Sequence, residues 1–357
     1  MAENTLTEPV PLTEPVVIWG AGAIGGTLGA YWARAGVPVL LVDRMAEHVE
    51  ACRTTGLTIE GPIDTFTQVV PAVTPDELEG TFGRIVLAVK AHHTPEALDA
   101  LAPHLRDDGF VLSAQNGLNE IAIAKAIGDE RTMGCFVNYA SDWIAPGRIL
   151  FGNRGAVVVG EIDGSIRDRT RSMFDLLRRF EPDAVLTDDV WSYLWGKLAY
   201  GAMLFATALT EDSMSANFAD PRRTPVWIAL GREVMAVAAA RGVRPHGFGE
   251  FRPEAFAPDA SEDDARRVIA WLADYTSRTA KTHSGIYRDL AVRRRRTEVD
   301  AQIGIIAELG REEGLSTPVL DRLVALVHDL EDGRRQLSFD TLNELIATCR
   351  SVSTTAS

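Results

Sequence analysis

The sequence has few cysteines, no long apolar run and no excess of positive charge. Cys52, Cys135 and Cys349 are far apart and form no CxxC pair, which excludes a disulfide framework and a cysteine-based zinc site. Because free thiols are typical of reducing compartments, we expect a cytoplasmic protein. No apolar run approaches the ~20 residues of a membrane helix, and a formal net charge of -14 would repel a phosphate backbone. We therefore expect neither a membrane nor a nucleic-acid partner.

The two ends of the chain are polar, and the composition as a whole is that of a globular protein. Of the 357 residues, 46% are hydrophobic and 24% are charged, which is sufficient for two domains with sizeable cores. Residues 1–15 have neither a basic segment nor an apolar core, so we expect a flexible leader rather than a signal peptide. Residues 351–357 are rich in serine and threonine, and we expect a flexible tail there.

Apolar runs alternate with helical patterns in the first half of the chain, and helical patterns fill the second half. Predicted strands cover residues 16–19, 39–42, 85–89, 110–113 and 156–160. Strands that alternate with helices on short loops form a doubly wound parallel sheet, so we predict an α/β Rossmann domain over residues 16–188. Predicted helices in the second half cover residues 194–210, 224–241, 263–279, 297–313 and 318–332. We therefore predict an all-α domain over residues 189–350.

A glycine-rich pattern follows the first predicted strand and begins a helix. Residues 20–25 read Gly-Ala-Gly-Ala-Ile-Gly. Gly20 permits a tight turn, Gly22 lets the backbone approach a pyrophosphate, and Gly25 lets helix and strand pack closely. The helix N-terminus then faces the phosphates. Within a βαβ unit this pattern predicts a dinucleotide site formed by Gly20, Gly22, Ala23, Ile24 and Gly25.

Two adjacent residues of opposite charge follow the second predicted strand, and they leave the choice between NAD(H) and NADP(H) undecided. Asp43 follows Gly25 at close to the ~20 positions expected of a ribose-binding carboxylate, and it suits the free 2′-hydroxyl of NAD(H). Arg44 would instead pair with the 2′-phosphate of NADP(H) and stack on adenine. We predict that both residues contact the cofactor, and the sequence supports either form of it.

Five further segments, taken together with the glycine pattern, resemble one enzyme family. They are 88–91 (Ala-Val-Lys-Ala), 115–117 (Gln-Asn-Gly), 195–198 (Trp-Gly-Lys-Leu), 296–300 (Arg-Thr-Glu-Val-Asp) and 314–318 (Gly-Leu-Ser-Thr-Pro). Their order resembles the ketopantoate reductase (2-dehydropantoate 2-reductase) family over about residues 16–331. The resemblance implies NAD(P)H-dependent reduction of a 2-keto acid to a 2-hydroxy acid, with NADP(H) as the family's cofactor.

The resemblance also implies roles for individual residues. Lys197 matches the family's general acid lysine, and Glu298 matches its substrate-contacting glutamate. Lys90 and Asn116 match positions that line the nicotinamide side of the site, with Asn116 also facing the substrate. The all-α domain would hold the small-molecule keto substrate. We also expect it to support a homodimer, because two-fold dimers are the commonest oligomers.

The residues themselves give Lys197 a chemical reason for that role. Hydride addition to a ketone develops negative charge on oxygen, so a positioned donor must deliver a proton. A lysine that starts an apolar helix is partly desolvated, which lowers the pKa of its ammonium group. Structural alternatives stay open: Lys197 as a solvated surface residue, Glu298 as an acid at a helix start, and Asn116 as a turn residue.

The sequence departs from the family at positions that contact the substrate. Family members carry asparagines four and eight positions after the lysine, where this chain has Gly201 and Phe205. A serine of the family falls on Gly285, with Ser284 beside it. Because hydrogen-bonding partners are lost, we expect a substrate that is bulkier or more apolar than ketopantoate. The residues predicted to line it are Asn116, Gly201, Phe205, Ser284 and Glu298.

Two clusters of basic or imidazole side chains need separate interpretations. The arginines at 293–296 either face acidic neighbours such as Asp289 and Asp300, or one of them, or Arg288, binds the substrate carboxylate in a bidentate manner. His92 and His93 are adjacent and point apart on a helix, and no carboxylate cluster joins them. We therefore predict no metal site.

Two other functions stay open at this point. A related reductase or dehydrogenase of an imine or β-keto substrate would use the same Lys197 acid, and substrate profiling separates it from a 2-keto acid reductase. A catalytically silent dinucleotide sensor would bind the nucleotide without turnover. The presence of both Lys197 and Glu298 argues against a sensor, because a pure binder has no need of a proton donor.

Overall fold

The computed structural model describes residues 14–279 and 281–355. The chain divides into two units, Met1–Val190 and Trp191–Ser357, close to the boundary that the sequence predicts after residue 188. The predicted leader covers residues 1–15, of which only 14 and 15 are described. No helix in the described ranges is both long and apolar enough to cross a membrane.

Short apolar runs form the central strands of the first unit. Val16, Val17 and Ile18 are completely buried, because helices cover both faces of a parallel sheet. The strands are β1 (Val16–Trp19), β2 (Val39–Val42), β3 (Leu57–Glu60), β4 (Phe66–Gln68), β5 (Ala72–Val73), β6 (Phe82–Leu87), β7 (Leu105–Ser113), β8 (Thr132–Val137), β9 (Ala140–Ala145), β10 (Arg148–Asn153), β11 (Val157–Glu161) and β12 (Val185–Leu186).

Eight of these strands form one sheet in the order β12-β11-β8-β7-β6-β1-β2-β5. Neighbouring strands are parallel, except that β11 runs antiparallel to β8. The helices of this unit are α1 (Ala23–Arg34), α2 (Ala46–Thr54), α3 (Thr94–Leu101), α4 (Asn119–Ile127) and α5 (Asp168–Phe180). The predicted α/β class with a doubly wound sheet is confirmed, and the antiparallel β11 is an addition to it.

A second, four-stranded sheet in the order β4-β3-β10-β9 has no counterpart in the sequence prediction. Its strands mix exposed and buried residues, so no continuous apolar run marks them. Strand β3 pairs in parallel with β10, which lies far along the chain. Strands β9 and β10 contact α1, and this places the second sheet against the helix that follows the glycine pattern.

The second unit is helical in its described residues, which confirms the predicted all-α class. Its helices are α6 (Val190–Thr207), α7 (Met214–Ala219), α8 (Thr224–Ala240), α9 (Glu262–Ser277), α10 (Gly285–Tyr287), α11 (Ile305–Glu312), α12 (Pro318–Glu331) and α13 (Phe339–Thr355). Two π-helical turns, Arg288–Val292 and Asp300–Gly304, lie on either side of an irregular segment at 294–297.

Three predicted bounds change in the structure. Helix α6 begins at Val190, so Lys197 lies in its middle and not at its start. The predicted helix at 297–313 consists of the π-helical turn Asp300–Gly304 and α11 (Ile305–Glu312), and the backbone N–H of its predicted first residue, Thr297, donates to the side chain of Glu331. Helix α13 extends to Thr355, so the predicted tail at 351–357 is helical in its described part.

Candidate active site

The glycine-rich turn between β1 and α1 leaves no room for side chains at two positions. Gly20 has φ +100°, and a Cβ there would lie 2.7 Å from the backbone nitrogen of Val89. A Cβ on Gly25 would lie 2.1 Å from the carbonyl oxygen of Gly20 and 2.8 Å from Cγ2 of Ile18. Only glycine permits this packing of helix against strand, as the sequence predicts.

The backbone at Gly22 is open beside the N-terminus of α1. A Cβ built on Gly22 meets no atom within 4 Å, and helix α1 begins directly after it at Ala23 and Ile24. Within the described residues, no side chain caps this helix N-terminus. The first backbone N–H groups of a helix lack intrahelical acceptors and carry the positive end of its dipole. An anion of the size of a phosphate therefore has donors and open space here.

The structure separates the roles of Asp43 and Arg44. The carboxylate of Asp43 accepts hydrogen bonds from the backbone N–H of Ala21 (2.9 Å) and from that of Met45 (2.9 Å). Arg44 is exposed, and its Nη2 donates to Nε2 of His93 (3.0 Å) on the loop after β6. Asp43 thus fixes the glycine-rich turn, whereas the guanidinium of Arg44 is accessible to a ligand.

Lys90 and Asn116 follow strands β6 and β7, which are neighbours in the sheet. Lys90 is exposed and Asn116 is partly buried. The buried side chain of Gln115 joins their loops, because its Nε2 donates to the carbonyl oxygen of Val89 (2.9 Å). Nδ2 of Asn119 donates to the carbonyl oxygen of Asn116 (2.7 Å). Sequence reasoning missed Gln115 and Asn119 as positioning residues. An amide directly after a strand end is the signal for Gln115, whereas Asn119 begins α4 and no such signal marks it.

Lys197 is partly buried in the middle of α6. Burial lowers the pKa of its ammonium group to about 8. The negative charge of Glu298 opposes this shift, and the positive charge of Lys281 adds to it. The structure therefore brings the two predicted catalytic residues close enough for their charges to interact, and the ammonium group is a stronger acid than an exposed lysine.

A loop packs against α6 directly beside the lysine. A Cβ on Gly196 would lie 1.8 Å from the carbonyl oxygen of His246, so only glycine allows this approach. The backbone N–H of His246 also donates to the carbonyl oxygen of Ser192 (2.8 Å). Further along, the ring of Tyr200 contacts that of Phe248, with centroids 5.4 Å apart. These contacts fix the backbone from which Lys197 extends.

The segment that carries Glu298 is held by one buried carboxylate. The backbone N–H and the hydroxyl of Thr297 both donate to Oε1 of Glu331 (2.7 Å each). Arg296 forms an ion pair with the same carboxylate (3.2 Å). The backbone N–H of Gln302 donates to the carbonyl oxygen of Glu298 (3.0 Å). The sequence gives no signal for the role of Glu331, because it lies on α12, far along the chain.

The neighbouring arginines are paired with carboxylates. Arg293 and Arg295 form ion pairs with the buried Asp289 at 3.3 and 2.8 Å. Asp300, the other acidic neighbour expected from the sequence, instead pairs with His328 (3.0 Å). Together with the ion pair between Arg296 and Glu331, these pairs favour the structural interpretation of Arg293, Arg295 and Arg296 over a role in binding the substrate carboxylate.

The other residues predicted to line the substrate differ in whether they border open space or are buried. A Cβ on Gly201 would meet only Oε1 of Gln302, at 3.9 Å, so this position borders open space. Phe205 is completely buried, so its ring belongs to the core and offers no surface to a substrate. Ser284 is 2% exposed, and its hydroxyl accepts from the backbone N–H of Tyr287 (3.1 Å), which caps α10. The predictions for Phe205 and Ser284 therefore need correction.

The expectation that His92 and His93 point apart on a helix is wrong, because both lie in a 3-10 turn (Ala91–His93) with their ring centroids 4.1 Å apart. Across residues 14–279 and 281–355, no group of three or more histidine, cysteine, aspartate or glutamate side chains is placed to hold a metal ion.

Comparison with protein families gives two matches that cover most of the chain. The family described as ketopantoate reductase PanE/ApbA matches residues 16–164, and the corresponding C-terminal family matches residues 189–331. The 2-dehydropantoate 2-reductase of Mesorhizobium japonicum is 30% identical to this chain and covers 88% of it and 97% of its own length. Both units of the structure are thus represented in the family.

Solved structures share the fold. A PanE/ApbA family ketopantoate reductase from Ralstonia eutropha superimposes with a TM-score of 0.74 at 27% identity, over 90% of this chain and 100% of its own. A D-mandelate dehydrogenase, solved with NADH and anilino(oxo)acetate, has a TM-score of 0.77 at 24% identity, over 89% and 99%. From the two family matches and the relative at 30% identity, this protein belongs to the ketopantoate reductase PanE/ApbA family and is an oxidoreductase that acts on a CH–OH/C=O pair.

Proposed function

We propose that this protein is a NAD(P)H-dependent reductase that transfers a hydride to the carbonyl carbon of a 2-keto acid. The substrate is 2-dehydropantoate or a bulkier, more apolar analogue of it. The observation that carries the proposal is Lys197, a partly buried ammonium group whose pKa is lowered to about 8 and on which the charge of Glu298 acts. The homodimer expected from the sequence stays a prediction.

The first unit supplies the groups that hold the dinucleotide. The open backbone at Gly22 and the N-terminus of α1 receive the pyrophosphate. A bound reduced nicotinamide supplies the hydride. Lys90 and Asn116, which follow the carboxyl ends of neighbouring strands, orient the nicotinamide end, in keeping with the rule that ligands of such sheets bind at the carboxyl ends of the strands.

The second unit supplies the proton. As the hydride arrives at the carbonyl carbon, negative charge develops on the carbonyl oxygen, and Nζ of Lys197 donates its proton there. Burial makes this transfer easier because it destabilises the charged ammonium form. The carboxylate of Glu298 opposes that destabilisation, so that the lysine is still protonated at neutral pH. The same carboxylate also contacts the substrate. After the reaction the neutral amine takes a proton from solvent.

In this proposal Arg44 determines whether the protein binds NADP(H) or NAD(H). Both carboxylate oxygens of Asp43 already accept backbone hydrogen bonds, which gives that residue a structural role. The guanidinium of Arg44 is exposed and lies beside His93. We therefore propose NADP(H), with the 2′-phosphate paired to Arg44, while NAD(H) is the alternative that Asp43 would favour.

The absence of a side chain at Gly201 determines the substrate specificity in this proposal. Since a Cβ there would meet only the tip of Gln302 at 3.9 Å, the space taken by an asparagine in the family is open to a larger substrate group. A site that lacks one hydrogen-bonding side chain discriminates less in favour of a hydroxylated substrate. The buried Phe205 acts only through the packing of α6.

The protonation of Lys197 predicts the pH dependence of the reaction. Because reduction requires the ammonium form, kcat/KM for keto acid reduction should be constant below about pH 8 and fall as the pH rises through that value. Oxidation of the hydroxy acid should show the opposite trend. Lys197→Ala should lose about 10²–10⁴-fold in rate.

Lys281→Met is the matched variant for this test. Removal of its positive charge should raise the pKa of Lys197 and move the alkaline limb to higher pH. A pH profile that is the same in wild type and in Lys197→Ala, or turnover by Lys197→Ala at the wild-type rate, would contradict the assignment of the proton donor.

Arg44→Ala tests the proposed cofactor. A charge-assisted hydrogen bond contributes about 1.5–3 kcal/mol, so kcat/KM with NADPH should fall roughly 10- to 100-fold while that with NADH changes little. Arg53→Ala is the control, because it removes an exposed arginine of α2 whose ion-pair partners are Glu50 (2.7 Å) and Glu77 (3.5 Å). Equal losses with both cofactors, or a wild-type preference for NADH, would show that Arg44 does not select the nucleotide.

Gly201→Asn tests the proposed substrate. The wild-type protein should reduce a bulky, apolar 2-keto acid such as phenylglyoxylate more efficiently than ketopantoate. The asparagine should shift the ratio of the two kcat/KM values by roughly tenfold toward ketopantoate, because it fills the space and restores an amide. Gly201→Ala fills part of the space without an amide and should only reduce turnover of the bulky substrate. A wild-type preference for ketopantoate would refute the idea.

A further inference from the structure

The peptide groups on both sides of Ala21, within the glycine-rich turn, are held by side chains. The backbone N–H of Ala21 donates to Oδ2 of Asp43 (2.9 Å), and its carbonyl oxygen lies 2.8 Å from Nε2 of His48. His48 lies on α2 and is 1% exposed. No ordinary packing role requires a histidine there, since an imidazole that is buried must satisfy two ring nitrogens.

The hydrogen-bond partners of His48 fix its tautomer. The backbone N–H of Gly147 donates to Nδ1 of the ring (2.9 Å), so Nδ1 is the acceptor. Nε2 then carries the hydrogen and donates to the carbonyl oxygen of Ala21. The neutral ring therefore forms a bridge from the glycine-rich turn to Gly147, which lies between β9 and β10 of the second sheet.

The second sheet also holds the first turns of α1. The hydroxyl of Tyr139, in the connection that leads into β9, donates to the carbonyl oxygen of Ile24 (3.0 Å). The hydroxyl oxygens of Thr27 and Ser141 lie 2.9 Å apart and share a hydrogen bond. Hydrogen bonds thus connect the turn and the helix start that would receive the pyrophosphate to β9 and to the connections on either side of it at three places.

We propose that the second sheet (β4-β3-β10-β9) is part of the dinucleotide-binding apparatus and that His48 is the positioning residue through which it orients the glycine-rich turn. The inference rests on the proposed binding of a nicotinamide dinucleotide at this turn. The carbonyl group of Ala21 and the N–H of Gly22 belong to one trans peptide group, so they point in opposite directions. When His48 fixes the carbonyl group, it also fixes the direction in which the N–H of Gly22 is presented.

This arrangement acts on affinity through preorganisation. A turn that is free to rotate its peptide groups has to be ordered when the ligand binds, and that ordering reduces the affinity. With Asp43 and His48 in place, the turn is already ordered. Loss of the bond from His48 should therefore weaken dinucleotide binding without changing the chemical step.

Two substitutions separate the two hydrogen bonds of the ring. In His48→Asn the carboxamide oxygen takes the place of Nδ1 and keeps the bond from Gly147, but the donor to Ala21 is lost. In His48→Gln the amide nitrogen takes the place of Nε2 and keeps the bond to Ala21, but the acceptor for Gly147 is lost. Each variant keeps one of the two backbone hydrogen bonds and buries an amide, and His48→Asn also loses the contact of Nε2 with Sγ of Cys52 (3.7 Å).

The test is the dissociation constant of NADPH and of NADH, measured by fluorescence titration without a keto acid, together with the melting temperature. For His48→Asn we expect about tenfold weaker binding of the preferred dinucleotide and a raised KM for it, with kcat at saturation unchanged. His48→Gln should bind it within about twofold of wild type. Wild-type affinity in both variants, or equal losses that follow the drop in melting temperature, would overturn the proposal.

The same titration keeps this inference distinct from the proposed function. If wild type binds a dinucleotide but reduces no 2-keto acid, the proposed reaction is wrong and the comparison of the two His48 variants still decides the role of His48. If wild type binds neither NADPH nor NADH, both the proposed cofactor and the role of His48 are overturned.

Discussion

Helix α1 and strand β1 approach so closely that a Cβ on Gly25 would lie 2.8 Å from Cγ2 of Ile18, as well as 2.1 Å from the carbonyl oxygen of Gly20 in the turn between them. The rest of the first unit is arranged around this steric constraint. Gly20 itself lies against the backbone at Val89, and the carbonyl oxygen of Val89 accepts a hydrogen bond from the side-chain amide of Gln115. The loops after β1 and β6 are therefore coupled by close backbone packing, and the buried side chain of Gln115 couples the loops after β6 and β7. Such rigidity is what a site needs to hold a dinucleotide in one orientation.

In the second unit, an ammonium group lies in a largely apolar helix. Burial disfavours the charged form of Lys197, and Glu298 offsets part of this effect. The carboxylate of Glu331 holds the segment before Glu298 by two hydrogen bonds from Thr297. The electrostatic environment of Lys197 therefore depends on a residue of α12 that is not itself placed to react. In our account the acid strength of the lysine is a property of this whole arrangement.

Much of the fold could be predicted from the sequence, because local patterns determine it. The glycine pattern at 20–25, the buried strands and the helical second half are all visible as periodicity and composition. The second sheet could not be predicted, since its strands lack continuous apolar runs and β3 pairs with the distant β10. Burial of Phe205 and the cap formed by Ser284 also depend on tertiary packing. The order of the motifs located Lys197 and Glu298, but not the side chains that position them.

The central claim is that the chain transfers hydride from a nicotinamide to the carbonyl carbon of a 2-keto acid. The most direct measurement uses NADPH deuterated at the transferable C4 position, with ketopantoate and with phenylglyoxylate, and follows the label by mass spectrometry and NMR. Our account predicts that deuterium appears at C2 of a 2-hydroxy acid product, with one label for each cofactor oxidised. A protein that binds the cofactor while all deuterium stays on it would contradict the account and point to a dinucleotide sensor.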